Sequence, residues 1–146
     1  MSRRGVGKYK KAWSWPADVE EFMKARAIGF TVHVCNGASQ LGNLRIDKFT
    51  PADIKADMMF LPLKTGCADT VICDPPWGIA YHQRFRIVAE LRRILRIGGV
   101  LLFNAPWIPR VPGLNVEEIW IREHYMWDVG VISKSVKVRE SLFNDR

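Results

Sequence analysis

The chain has 146 residues, with 22 Lys+Arg against 15 Asp+Glu, a formal net charge of +7, and 48% apolar, 11% aromatic and 25% charged residues. That length fits one domain able to bury its own core, and the composition excludes a disordered chain. No apolar run approaches the ~18–20 residues of a membrane span, and no apolar stretch follows Arg3 and Arg4, so neither a spanning helix nor a secretory leader is expected.

Residues 1–13 read as a basic flexible arm, holding Arg3, Arg4, Lys8, Lys10 and Lys11 without an acid before residue 18, and residues 14–146 read as one domain. Pro16 suits the first position of a helix, with Asp18, Glu20 and Glu21 at its positive end and Lys24 and Arg26 in its last turn. Gly29 is the expected stop. Residues 30–35 are β-branched and apolar, a strand. The small-residue loop 36–42 leads to a second short strand at 44–47. A third strand is expected within 54–61, before Pro62, and a fourth at 69–73. Residues 81–97 carry the clearest helical pattern, with Phe85, Val88, Leu91 and Leu95 on one face and arginines between them. Gly98-Gly99 is expected to end that helix. Residues 100–104 are wholly apolar, as in a strand buried on both faces. After a Pro-rich loop, 118–125 and 129–138 read as an antiparallel hairpin with Trp127-Asp128 at its turn.

Strands alternating with helices imply an α/β fold with a parallel sheet, made mixed by the closing hairpin. About eight residues link the first two strands, whereas a parallel crossover through a helix takes a dozen or more, so the first crossover helix is expected to be absent or reduced. In open α/β sheets ligands bind beyond the carboxyl ends of the strands. That rim should gather 36–42, Asp47, Asp57, 74–77 and 104–113.

The chemistry concentrates in Asp74-Pro75-Pro76-Trp77. The two prolines fix φ and provide no N–H, and the residue before a proline is held extended. Asp74 therefore projects from the strand end beside the Pro75 carbonyl, with the Trp77 aromatic face next to both. Such a corner fits an exocyclic amine on a planar base. Its two acceptors take the two amine hydrogens and release the nitrogen lone pair from the ring, while the indole stacks on the base. A base in a duplex would first have to leave the stack.

These residues resemble the D-P-P-W/N-P-P-Y signature of class I S-adenosylmethionine-dependent amino-methyltransferases acting on nucleic acids, in which the tetrapeptide follows the fourth strand. The resemblance spans about residue 16 to the end of the chain. It implies a Rossmann-like methyltransferase domain, S-adenosylmethionine as cofactor, a DNA or RNA partner, and adenine N6, most of all in DNA, as the methyl acceptor. RNA adenine N6 or guanine N2 is an alternative, and a non-catalytic nucleic-acid-binding subunit is an alternative of another class. The resemblance assigns Asp74, Pro75, Pro76 and Trp77 to catalysis. It assigns Asn36, Gly37 and Ser39 to the loop beneath the cofactor's methionine part, Asp47 to the ribose hydroxyls, and Asp57 with the Met58 backbone to the adenine. The loop departs from the family's full G-x-G-x-G and lacks the usual acid at the end of the first strand.

Lys8, Lys10 and Lys11 are candidates for backbone phosphates, and Trp107 and Arg110 for the wall of the base pocket or a phosphate clamp. The basic run of Arg84, Arg86, Arg92, Arg93 and Arg96 suits the same polyanion. No extra recognition region is expected after the hairpin, so either sequence specificity is low or a protein partner supplies target recognition. Cys35, Cys67 and Cys73 lack C-x-x-C spacing, which argues against a disulfide framework or a thiolate zinc site and for reduced thiols in a cytoplasmic protein. No metal is expected.

Overall fold

The computed structural model describes residues 16–123 and 129–141. The basic arm with Lys8, Lys10 and Lys11 and the hairpin turn at Trp127-Asp128 lie outside the described residues. Helix α1 (Ala17–Arg26) is followed by strands β1 (Thr31–Val34), β2 (Leu44–Ile46) and β3 (Ala68–Cys73). A short helix α2 (Trp77–Ala80), a 3-10 turn and helix α3 (Arg84–Ile94) lead to β4 (Leu95–Ala105), β5 (Leu114–Glu123) and β6 (Val129–Lys137). The six strands form one sheet in the order β2-β1-β3-β4-β6-β5. The first four are mutually parallel, and β6 and β5 complete the sheet antiparallel, as expected for a mixed α/β sheet closed by a hairpin.

Residues 35–43 return from β1 to β2 without a helix, in agreement with the reduced crossover. A four-residue strand is only about 13 Å long, so an extended return suffices. It lies back along β1: Asn43 N–H donates to the Thr31 carbonyl at 2.8 Å, and Thr31 N–H donates to the Asn43 side chain at 2.9 Å. The His33 ring meets the Leu41 carbonyl at 3.0 Å, and a Cβ on Gly42 would lie 3.2 Å from that of His33. Gly42 lets the strap run this close to the strand.

The strap shares its face of the sheet with α1. There Val19, Phe22 and Met23 pack on Ile72, Val100, Leu102 and Ile132. Phe22 stacks on Trp120 at 4.9 Å, and Arg26 pairs with Glu118 of β5 at 2.5 Å. On the other face α3 buries Ile87, Val88, Leu91 and Ile94 against Val32, Val34, Val71, Cys73, Leu101 and Phe103.

Four expectations need correction. The strand expected at 54–61 is a single bridge, Ile46 to Ile54. Beyond it the Asp57 side chain accepts Met59 N–H at 2.9 Å, a local bond that competes with a ladder. The helix expected at 81–97 ends at Ile94, and Gly98-Gly99 instead forms a bulge inside β4, where Ala68 pairs with Leu95 but Thr70 with Val100. A Cβ on Gly99 would lie 2.8 Å from the Arg96 carbonyl, so the bulge needs glycine there. Phe85, expected on the core face of the helix, is 56% exposed.

The fourth correction concerns the arginine run. Arg92 is buried and donates to the carbonyls of Arg139, Glu140 and Ser141. Arg93 binds Glu90 with two nitrogens, each at 2.8 Å, and reaches the Leu61 and Leu63 carbonyls. Arg96 pairs with Asp69 at 2.6 Å. Arg92 and Arg93 tie loops to the helix end, and Arg96 joins the start of β4 to β3. Only Arg84 and Arg86 of the run stand exposed without a carboxylate partner among the described residues.

Candidate active site

The carboxyl ends of the parallel strands bring most of the expected residues to one rim. Cys35 follows β1 with φ 59, its N–H donates to the Ile46 carbonyl at 2.8 Å, and Gly37 takes φ 55. The buried Asn36 side chain donates to the Gly37 and Ser39 carbonyls, both at 3.2 Å. Ser39 donates its N–H to the Asn36 carbonyl and accepts from Leu41 N–H. Asn36 and Ser39 thus shape the loop and hold Gly37 against the end of β2. The buried Asn36 Oδ1 has no hydrogen-bond partner among the described residues. A buried acceptor without a donor is costly, and one in the loop at the carboxyl end of β1 fits a ligand donor close by.

Asp47 is buried at the end of β2. Its Oδ1 accepts Phe49 N–H at 2.8 Å and Thr50 N–H at 3.0 Å, and its Oδ2 accepts Gly37 N–H at 3.3 Å. Burial pushes the carboxyl pKa up, but these backbone donors outweigh it and the group lies below its ordinary value. A carboxylate offers about four acceptor positions, and three are taken here.

Asp57 and Met58 join the same rim through two contacts. Cys35 Sγ lies 3.7 Å from Met58 Sδ, and Lys48 Nζ lies 3.6 Å from Asp57 Oδ2. The Lys48 pair was not legible in sequence, because it depends on the turn at Asp57 folding back to β2.

Asp74 leaves the end of β3 half-buried, with Pro75 buried and Pro76 capping α2. The Pro76 carbonyl accepts Ala80 N–H at 2.9 Å and belongs to the helix. Trp77 packs partly against the main core, and its indole N–H reaches both Asp74 Oδ1 at 3.3 Å and the Asn104 carbonyl of β4 at 3.2 Å. The ring therefore braces the carboxylate between two strands, a role not read from the sequence. The residue as a whole is half-buried. Gly78 has open space where a Cβ would stand, so the corner is not crowded from that side.

Behind the corner, burial pushes the Cys73 thiol well up, with the neighbouring Cys35 thiol adding to the shift, so it stays protonated and inert as a nucleophile. Among the described residues no three His, Cys, Asp or Glu side chains cluster as a metal site, and no helix is long and apolar enough to cross a membrane.

Trp107 meets Phe103 edge-on at 5.9 Å and Tyr81 at 5.8 Å. It stands beside the 3-10 turn that follows α2. Arg110 is exposed and lines a groove of ≈ 670 Å³ with Ile108, Val111, Pro112 and β5 residues.

No family model matches the sequence. No curated protein matches it either. Solved structures do match the fold. A 16S rRNA (adenine(1408)-N(1))-methyltransferase of Catenulisporales acidiphilia, solved with its cosubstrate SAM, superposes with a TM-score of 0.56 at 16% identity, over 84% of this chain and 92% of that one. A putative methyltransferase of Bacillus halodurans C-125 gives 0.57 at 12% identity, over 85% and 100%. The [4+2]-cyclase SpnF also matches, with 0.57 at 11% identity, over 82% and 80%. The fold is thus the Rossmann-like one of S-adenosylmethionine-dependent methyltransferases. A cyclase on the same fold shows that the chemistry must be argued from the site.

Proposed function

We propose that this protein transfers a methyl group from S-adenosylmethionine to an exocyclic amine of a nucleic-acid base, with adenine N6 the leading acceptor. The observation that carries the proposal is the braced corner: a carboxylate held by Trp77 and followed by a proline carbonyl, at the rim that also gathers Gly37, Asp47 and Asp57. The fold similarity to enzymes of that cofactor supports the methyl donor, and the donor set fits it. Gly37 offers close backbone approach, Asp47 an acceptor for a ribose hydroxyl, Asp57 an acceptor for the adenine amine, and Met58 an apolar wall.

When bound, S-adenosylmethionine supplies an electrophilic methyl on its sulfonium. The chain's own work is alignment and proton handling. Asp74 and the Pro75 carbonyl accept the two amine hydrogens, which draws the nitrogen out of conjugation and aims its lone pair. After transfer the nitrogen sheds one proton, and the Asp74 carboxylate can take it and pass it to water. Trp77 fixes the carboxylate and offers its exposed face to the base.

Whether the polymer is DNA, as the tetrapeptide suggests, or RNA, as the substrate of one structural neighbour suggests, is read from the product. Methyl-labelled S-adenosylmethionine is incubated with separate pools of DNA, transfer RNA and ribosomal RNA, and the digested nucleosides are identified by mass spectrometry. Labelled N6-methyladenine is the expected product, and labelled N2-methylguanine would move the acceptor to guanine. No label in any pool, together with no cofactor binding, would overturn the proposal in favour of a nucleic-acid-binding subunit of a larger methyltransferase.

A further inference from the structure

Phe49 is 68% exposed, Phe60 62% and Tyr81 48%. Each carries a cation over its ring: Lys48 lies 5.5 Å from the Phe49 centroid, Arg86 4.7 Å from that of Phe60, and Arg84 4.3 Å from that of Tyr81. The three pairs are connected. Lys48 reaches Asp57, whose carbonyl accepts Phe60 N–H at 3.0 Å. Arg86 and Arg84 sit on the first turn of α3, and Tyr81 meets Trp107 edge-on. Phe85, turned away from the core, stands between the two arginines in the chain. The belt thus runs from the loop after β2, past the Asp57 turn, to the helix that follows Asp74-Pro75-Pro76-Trp77.

Exposed aromatic rings are costly to leave in water, and four of them interleaved with cations do not resemble a merely solvated face. Single-stranded nucleic acid is recognised by this combination, with bases stacking on the rings and cations tracking the phosphates. A duplex hides its base faces and gives such rings nothing to stack on. We propose that Phe49, Phe60 and Tyr81, with Lys48, Arg86 and Arg84, form a track for a single strand leading to the Asp74 corner. This rests on the nucleic-acid reading above and adds to it that the substrate strand is unpaired.

The test is fluorescence anisotropy of the full chain with labelled DNA and RNA single strands of about 20 nucleotides and with the matching duplex, over a salt series. The single strand should bind more tightly than the duplex. Phe60→Leu and Tyr81→Leu keep the apolar bulk and remove the aromatic face. Each should weaken single-strand binding by roughly five- to a hundredfold at unchanged salt slope. Arg84→Gln and Arg86→Gln should each lower the salt slope by about 0.7. Circular dichroism and melting confirm that each variant is folded.

Duplex preferred over single strand, no binding by the wild type, or unchanged affinity in folded Phe60→Leu and Tyr81→Leu would overturn the track. The methyl-transfer assay on the same oligonucleotides separates the two proposals. Label transfer with normal binding by the ring variants sinks the track alone. Ring-dependent binding with neither label nor cofactor binding sinks methyl transfer alone.

Discussion

The Trp77 indole N–H lies 3.3 Å from Asp74 Oδ1 and 3.2 Å from the Asn104 carbonyl, so one donor joins the ends of β3 and β4 and fixes the carboxylate between them. Trp77→Phe keeps most of the packing and removes that donor. We expect turnover to fall about tenfold with cofactor affinity nearly unchanged, since a loosened catalytic group costs alignment more than binding. Asp74→Ala removes the acceptor itself and should cost about 10²–10³ in turnover. Single-turnover methyl transfer alongside calorimetric cofactor binding checks both. Full turnover by a folded Asp74→Ala protein would exclude the mechanism.

The corner was legible from sequence because its constraints are local. Two prolines force the backbone, and the preceding strand places it. The first crossover was legible too, since the chain between β1 and β2 is too short for a helix. What stayed hidden depends on distant partners. Nothing near Arg92 reveals that it binds carbonyls at 139–141, and nothing near Trp77 names the Asn104 carbonyl. The apolar period at 85–95 misplaced Phe85 because apolar spacing cannot separate a ring kept for solvent from one kept for the core. The strand expected after Ile54 failed because the Asp57 side chain takes a backbone donor locally.

His33 is wholly buried under the return strap, and burial lowers its pKa from 6.5 to about 4. The unfolded chain thus binds a proton that the folded one refuses between those values. Stability is fully present above pH ~6.5 and is lost as pH falls towards about 4, by about 3 kcal/mol in all. Urea unfolding at a series of pH values should show this limb in the wild type, and His33→Leu should flatten it. An unchanged limb in the variant would assign the acid sensitivity to another group.

Asp47 behaves differently. Its folded pKa is lowered, so its contribution is present above the ordinary carboxylate value of ~3.9 and is lost as pH falls through the lower folded value. Asp47→Asn keeps one acceptor oxygen and loses the charge that strengthens three N–H bonds. It should be less stable than wild type at pH 7 by about 1–2 kcal/mol, with the gap closing below pH ~4. Cofactor affinity should fall as well, because Gly37 is held to β2 through this carboxylate. A gap that does not narrow at all as pH falls below ~4 would mean that the side chain acts by packing and not by charge.

Arg92 provides the sharpest contrast between charge in sequence and charge in structure. Its guanidinium is buried, which lowers its pKa, and it binds the carbonyls of Arg139, Glu140 and Ser141 against Gly113. Lys137 works beside it, donating to the Leu95 carbonyl at 2.6 Å and to Glu140 at 2.9 Å. Arg92→Ala leaves several carbonyls without a donor and should cost about 2–4 kcal/mol, lowering the melting temperature clearly. It should leave the salt dependence of nucleic-acid binding untouched, because this cation faces its own chain and no phosphate. Loss of salt slope in a folded Arg92→Ala protein, comparable with that of Arg86→Gln, would return Arg92 to the phosphate-contacting set and redraw the binding face along the whole of α3.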